Sequence, residues 1–382
     1  MKKIIRVTTV PESMKTLLKG QLKYMSEYFN IVGVASDGDD LELVNKNEGI
    51  EVHALKMTRK ITPIKDLLSI IKLVQFLRKE KPDAVHSHTP KAGLVAMLAA
   101  KICGINHRIH TVAGLPLMEA SGIKRQVLLL VEKIIYLCAS DVLPNSYNLK
   151  DFILEKKLCR PKKVEVIANG SSNGIDCDHF RRENIDLRTM SSLRDKYCLD
   201  SNNIIFLFIG RIVKDKGIVE IINAFEKLIS VNKNVRLLLV GKFESDLDPI
   251  PDSILSKIEN IDEIINCGFQ RDVRPFLSIS NIFVFPSYRE GFPNVVMQAG
   301  AMELPSIVSN INGCNEIIID NVNGKIVPKK DPEALYEMMR YFLENSNDVK
   351  RMALNAREMI VNRYEQKMVW KALLDKYNVL LN

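Results

Sequence analysis

The sequence predicts an α/β protein built from two doubly wound, Rossmann-like domains, and three observations carry that prediction. Short β-branched or aliphatic runs alternate with helix-length segments from end to end, the pattern of parallel sheets assembled from βαβ units. The alternation lapses between about Asp176 and Asn203 and starts afresh at Ile204. The chain has 382 residues, enough for two or three domains, each with its own core.

In the first half, strands are expected at Ile4–Thr9, Ile31–Ser36, Val52–Leu55, Ala84–Ser87, Arg108–Thr111, Val142–Pro144 and Val164–Ile167. Helix-length stretches at Asp66–Lys79, Lys91–Ile102 and Lys124–Cys138 separate several of them. The span Asp176 to Asn203 is polar, charged and without a strand-like run, so it reads as a linker. Strands are then expected at Ile204–Ile209, Val235–Val240, Ile264–Cys267, Ile282–Phe285, Ser306–Ser309 and Lys325–Val327, with helices at Gly217–Ser230 and Pro332–Glu344. The segment Asp348–Asn382 reads as helical. This places an N-terminal domain at 1–185 and a C-terminal domain at 186–382.

Composition narrows the function classes. Hydrophobic residues are 46% and charged residues 26%, an ordinary globular balance. Seven scattered cysteines without a Cys-x-x-Cys pair argue against a disulfide framework and fit a reducing cytoplasm. Arg6 and the polar Thr8-Thr9 cut the leading apolar stretch too short for a signal peptide. Glu132-Lys133 interrupt the longest apolar run, Val127 to Ala139, so a transmembrane helix is not expected. The net charge of +8 suits polyanions or an anionic membrane surface. Basic residues are spread along the chain, aromatics are 7% and nucleic-acid-binding signatures are lacking, so no nucleic-acid partner is expected. A cytoplasmic protein, either soluble or peripheral on the inner face of the plasma membrane, is the expectation.

The most informative segment is Ser287 to Gly300, Ser-Tyr-Arg-Glu-Gly-Phe-Pro-Asn-Val-Val-Met-Gln-Ala-Gly. It follows the apolar strand Ile282–Phe285 and opens a helix from about Asn294 to Met302. An acidic side chain and free backbone N–H groups thus come to the carboxyl end of a strand, where open α/β sheets bind ligands and where helix N-termini attract phosphate. About eighty residues earlier, Ile204–Ile209 runs into Gly210-Arg211-Ile212-Val213-Lys214-Asp215-Lys216-Gly217. Gly210 permits a tight turn, and Arg211 and Lys216 then sit at the mouth of the next helix as a cationic site for a diphosphate.

Together these two elements resemble the family 4 retaining glycosyltransferases of the GT-B fold, and the resemblance extends over nearly the whole chain. It implies two Rossmann-like domains facing a cleft, a nucleotide-sugar donor (a UDP-sugar), and a chemistry that requires no metal and no cofactor. Carried over by position, Arg211 and Lys216 grip the donor pyrophosphate and Glu290 bonds the transferred sugar. The backbone at Phe292, Asn294 and Val295 holds phosphate, while Pro293 lacks an N–H. Gly210 belongs to the donor site as the turn that ends its strand, and Gly241-Lys242 and Gly268-Phe269-Gln270 lie at further strand ends, where the family holds the base. Gln298 stands where the family has a Glu on the ribose hydroxyls. A neutral amide still accepts one hydroxyl, and the lost charge assistance is worth about 1 kcal/mol.

On the acceptor side, His86-Ser87-His88-Thr89-Pro90-Lys91-Ala92-Gly93 resembles the segment of relatives that elongate lipid-linked glycans for surface polysaccharides or glycoproteins. The resemblance places His88, Thr89 and Lys91 at the interdomain cleft, with a polyprenyl-diphosphate-linked glycan as acceptor. Ala113 stands where many relatives carry a His. The His86/His88 pair lacks a third ligand nearby and is not read as zinc-binding. Of two Asp-x-Asp triplets, Asp37-Gly38-Asp39 reads as a Gly-containing turn and Asp176-Cys177-Asp178 lies in the linker, and neither is assigned to metal. Lys60 to Lys81 is basic and amphipathic, with Ile64, Leu67, Leu68, Ile71 and Val74 at helical spacing. That stripe packs either on the sheet or on anionic lipid. Two rival functions remain at this point, a GT-B nucleotide-sugar epimerase and a non-catalytic partner subunit of a glycan-assembly complex.

Overall fold

The computed structural model describes residues 1–58, 62–118, 120–244 and 248–382. It divides into two compact units, Met1–Gly174 with Gln366–Asn382, and Ile175–Glu365.

The first unit holds six strands, β1 (Lys3–Val7), β2 (Asn30–Ala35), β3 (Glu51–Ala54), β4 (Ala84–His88), β5 (His107–Val112) and β6 (Asp141–Pro144). All neighbours pair in parallel, in the order β3-β2-β1-β4-β5-β6. Strands such as β4, wholly buried between helical layers, can be continuously apolar or internally satisfied, which is why these runs lack alternation. The strand order reverses between β1 and β4. The seventh expected strand, Val164–Ile167, does not form. Val164 makes one bridge to Val142 and the amide of Glu165 one bond to its carbonyl, and the chain then turns away through Asn169-Gly170.

The domain boundary also differs from the expected break at 185/186. The first unit ends at Gly174, and the helix Gln366–Leu381 rejoins it. The cause is packing. Leu373, Leu374, Tyr377 and Leu381 are buried among first-unit core residues, and Trp370 Nε1 donates to Asn173 Oδ1 at 2.6 Å.

Two helices of this unit depart from the simplest amphipathic reading. Pro63–Glu80 buries Asp66, Ser69, Leu73 and Leu77. The stripe predicted from periodicity instead faces solvent, with Ile64 78%, Leu67 58%, Leu68 54% and Ile71 47% exposed. Val74 packs partly against the core, and Lys60 lies outside the described residues. Gly122–Cys138 exposes Ile123 and Leu130, yet buries Glu132, the charge that interrupts its apolar run. Burial pushes the Glu132 carboxyl up to about 7. Among the described residues no helix is long and apolar enough to cross a membrane.

The second unit holds β7 (Ile204–Ile209), β8 (Val235–Val240), β9 (Ile264–Gly268), β10 (Ile282–Phe285), β11 (Ser306–Ser309) and β12 (Gly324–Val327). They are again all parallel, in the order β12-β11-β10-β7-β8-β9. Here the order reverses between β7 and β10. The expected linker contains a helix, Leu187–Lys196, started by Asp186, whose side chain accepts from the amide of Thr189.

Candidate functional site

In the second unit, Lys216 follows β7 and Glu290 follows β10, so the two come together at the reversal of strand order, where such sheets bind ligands. Lys216 Nζ closes an ion pair with Glu290 Oε1, and both side chains are 15% exposed. Ser287 Oγ donates to the same carboxylate oxygen at 2.8 Å. The turn that carries Glu290 is fixed from below by Asn312, whose Nδ2 donates to the carbonyls of Glu290 (3.0 Å) and Gly291 (2.6 Å). The loops after β7 and β10 are also stitched directly. The amide of Tyr288 donates to the Asp215 carbonyl at 2.9 Å, and Arg289 pairs with the Asp215 carboxylate at 3.0 Å.

Backbone shape makes this approach possible. Gly217 has φ +74°, and a Cβ there would lie 2.2 Å from the Pro286 carbonyl oxygen. A Cβ on Gly241 would lie 1.7 Å from the Gly210 carbonyl oxygen. Only glycine lets the ends of β7 and β8 run this close. The two loops are then joined by the Ile212 amide donating to the Lys242 carbonyl at 2.7 Å. Arg211 reaches outward, 41% exposed, and pairs with Glu244 at 2.9 Å.

The remaining predicted donor residues take different positions. Phe292 buries its ring, edge-on to Tyr364 at 5.2 Å, so only its backbone remains for a ligand. Pro293 is the residue before the helix Asn294–Ala301, which no side chain caps. The first-turn amides at Asn294 and Val295 therefore have no side-chain cap and carry the partial positive charge of a helix start. Gln298 is half-buried on this helix and makes no side-chain hydrogen bond among the described residues. At the ends of β8 and β9, Phe269 is 60% exposed with Lys242 Nζ 4.8 Å above its ring. Cys314, fully buried, has its thiol pushed up by burial and by the neighbouring Glu290 charge.

In the first unit, the crossing point between β1 and β4 is closed by Thr9 Oγ1 and Thr89 Oγ1, 2.7 Å apart. Thr89 has φ +83°, a rare conformation for a branched residue, and precedes the helix Pro90–Ile102. His88, expected to face substrate, is buried and accepts from Arg6 Nε (3.2 Å) and Nη2 (2.9 Å). Because arginine can only donate, His88 Nε2 is unprotonated and the ring proton sits on Nδ1. Burial, and then the Arg6 charge, hold His88 well below the ordinary imidazole range. Lys91 also turns inward, its Nζ 2.5 Å from Asp66 and its side chain 10% exposed. His86 is committed to the Tyr377 hydroxyl (2.5 Å) and Thr111 Oγ1 (2.7 Å).

The two Asp-x-Asp triplets serve local turns, Asp37 accepting from the Gly38 amide and Asp176 from the His179 amide. Sequence reasoning gave no role to Arg6, Asp66, Asp215, Glu244, Ser287 and Asn312. Asp215 and Ser287 lie inside the two motifs but, like the others, take their roles from partners that the fold supplies.

Residues 190–359 match the family model for glycosyl transferases group 1, and residues 30–170 that for the glycosyl transferase 4-like domain. The chain is 34% identical over 381 residues to the capsular polysaccharide biosynthesis glycosyltransferase CapM of Staphylococcus aureus, covering 99% of this chain and 97% of that protein. It is 27% identical over 315 residues to the Escherichia coli UDP-Gal:α-D-GlcNAc-diphosphoundecaprenol α-1,3-galactosyltransferase, covering 81% and 78%. Among solved structures, Anabaena HepE in complex with UDP and glucose superposes with a TM-score of 0.83 at 18% identity, covering 99% of this chain and all of that one. Two parallel six-stranded units, both family models and a full-length relative agree, and the chain belongs to the GT4-type glycosyltransferases of the GT-B fold.

Proposed function

We propose that this glycosyltransferase moves a sugar, with retention and without a metal ion, from a UDP-sugar to a hydroxyl of a polyprenyl-diphosphate-linked glycan in surface polysaccharide assembly. The observation that carries the reading is the half-buried Lys216–Glu290 pair at the strand-order reversal, beside an uncapped helix N-terminus. The relatives support the substrate classes, since one is named for a UDP-sugar donor and a diphosphoundecaprenol acceptor and another for capsular polysaccharide synthesis.

In this mechanism the bond between the anomeric carbon and the donor phosphate oxygen breaks, and negative charge grows on the leaving diphosphate. Arg211, Lys216 and the amides at Asn294 and Val295 stabilise that charge by fixed electrostatics. The acceptor hydroxyl attacks from the face the phosphate leaves, and a phosphate oxygen takes its proton. Configuration is thereby retained without a side-chain nucleophile. Glu290, already oriented by Ser287 and Asn312, bonds the hydroxyls of the transferred sugar. Phe269 and Lys242 offer a flat apolar face with a cation for the base.

A lipid-linked acceptor requires the enzyme to work at a membrane. The exposed Ile64, Leu67, Leu68 and Ile71, with exposed Lys65 and Lys72 on the same helix, suit the inner face of an anionic bilayer. Membership of a glycosyltransferase family sets aside the epimerase alternative. The reading is tested by a thermal-shift panel of UDP, GDP, ADP and their sugars in chelator-treated buffer, followed by measurement of acceptor-dependent UDP release. Stabilisation by UDP ligands is expected. Stabilisation by none of the nucleotides would overturn the reading, and binding without acceptor-dependent release would favour the non-catalytic subunit.

A further inference from the structure

Arg211 and Lys216 are the two cations offered to the donor diphosphate, and both already hold a carboxylate of this chain. Lys216 holds Glu290, which belongs to the sugar site. Arg211 holds Glu244, which no part of the proposed chemistry uses. The loop that presents Glu244 is anchored firmly against the Arg211 loop. Ile212 bridges to Phe243, and the Ile212 amide donates to the Lys242 carbonyl at 2.7 Å. Further on, Asp248 accepts from the amides of Lys214 (3.1 Å, carbonyl) and Asp215 (2.7 Å, carboxylate). Glu244 directly follows Phe243, so the backbone contacts of Lys242 and Phe243 place it independently of its bond to Arg211.

A guanidinium pairs with a carboxylate or a phosphate through the same charge-assisted N–H···O bonds. The Arg211–Glu244 pair is open to water, at 41% and 34% exposure, so an incoming anion can reach it. We propose that Glu244 is an internal stand-in for the donor phosphate: it holds Arg211 at the mouth of the diphosphate site and is displaced when the donor binds, thereby setting donor affinity. The proposal rests on Arg211 being a diphosphate ligand. Glu244 acts through Arg211 and is a positioning residue. It lowers affinity by competition while keeping the guanidinium from swinging into solvent or onto a wrong anion.

The sign of the effect separates this role from a structural one. If Glu244 only braced the loop, removing its charge would disorder Arg211 and weaken binding. As a competitor, its removal strengthens binding. The experiment is calorimetric titration of the full chain with inorganic pyrophosphate and, separately, with UDP, in metal-free buffer. Wild type, Glu244→Gln, Glu244→Asp, Arg211→Ala and the Arg211→Ala/Glu244→Gln double variant are compared. Glu244→Gln is expected to tighten both ligands about two- to fivefold, the scale of freeing one exposed ion pair. Glu244→Asp should stay near wild type, and Glu244→Gln should add nothing once Arg211 is gone. Equal or weaker binding by Glu244→Gln overturns the proposal. So does tightening that persists without Arg211, which would mean direct repulsion of the ligand, and so does pyrophosphate binding by none of the proteins. Tighter pyrophosphate binding with no UDP binding would remove the UDP reading and leave this one standing. UDP binding unaltered by Glu244→Gln would do the reverse.

Discussion

Lys216 and Glu290, seventy-four residues apart, neutralise one another at the place in the second sheet where neighbouring strands lead their helices to opposite faces. An ammonium and a carboxylate this shielded are costly to hold unless a ligand completes their coordination. Lys216→Ala and Arg211→Ala are each expected to lower turnover more than about tenfold, as loss of a charge-stabilising donor does. Their stabilities should differ. Arg211→Ala removes a half-exposed side chain and should leave the melting temperature in place. Lys216→Ala strands the Glu290 charge and should lower it. Acceptor-dependent UDP release and calorimetry measure the two effects, and near-normal turnover in either variant would refute the assignment.

Gln298 is an amide with no side-chain hydrogen bond among the described residues, on the helix Asn294–Ala301 that the proposed function sets against the donor. Gln298→Glu should restore a charge-assisted bond to a ribose hydroxyl. UDP affinity should rise by about 1 kcal/mol, roughly fivefold, read as a dissociation constant. A fall in affinity would mean that the helix does not approach the ribose.

Gly241→Ala is a steric test of the same neighbourhood. The added methyl would sit 1.7 Å from the Gly210 carbonyl oxygen, a distance no relaxation of side chains can relieve. The ends of β7 and β8 must separate, so UDP-induced stabilisation should disappear even where the protein remains folded. Retained nucleotide response would show that the loop after β7 can shift without loss of the site.

Glu132 provides a pH signature in the first unit. Burial raises its carboxyl from the ordinary 4.5 to about 7 in the fold. The protonated form is the one that fits the core, so its stabilising contribution is complete below pH 4.5 and is lost as pH rises through 7. The difference is on the order of 3 kcal/mol at most. Glu132→Gln should therefore melt higher than wild type at about pH 8 and alike at about pH 4.5. A gap of the same size at both values would assign the gain to packing and not to ionisation.

The exposed apolar stripe predicts lipid association. Wild type should sediment with anionic liposomes at low salt, and a Leu67→Ser/Leu68→Ser variant should stay in the supernatant with its melting temperature unchanged, because both residues already face solvent. Failure of wild type to sediment would remove the membrane surface from the functional reading.

Much of this architecture can be read directly from the residues. The aliphatic runs that become β7, β8 and β10 are buried along almost their whole length, and such runs announce themselves without partners. Gly210 to Gly217 and Glu290 to Gly300 are equally legible, because tight turns and helix starts impose residue types locally. Periodicity is less informative at Ile64, Leu67, Leu68 and Ile71. It marks an apolar face but not what covers it, and here Ser69, Leu73 and Leu77 form the packed face instead. His88 and Lys91 are visible in the sequence as chemistry but not as geometry. Their inward orientation depends on Arg6 and Asp66, contributed by distant parts of the chain. The same holds for Glu244, whose meaning comes entirely from the side chain it touches.

The return of helix 366–381 to the first unit carries a consequence for how the molecule is made. During synthesis, residues 175–365 can complete their sheet and core as one uninterrupted stretch. The first unit, by contrast, is completed only by residues that follow the second in sequence, because Tyr377 supplies the hydroxyl that His86 needs and Leu373 and Leu374 pack with residues of β1 and β4. Shortening or tagging the chain within this helix would therefore injure the first unit, while leaving the core of residues 175–365 intact.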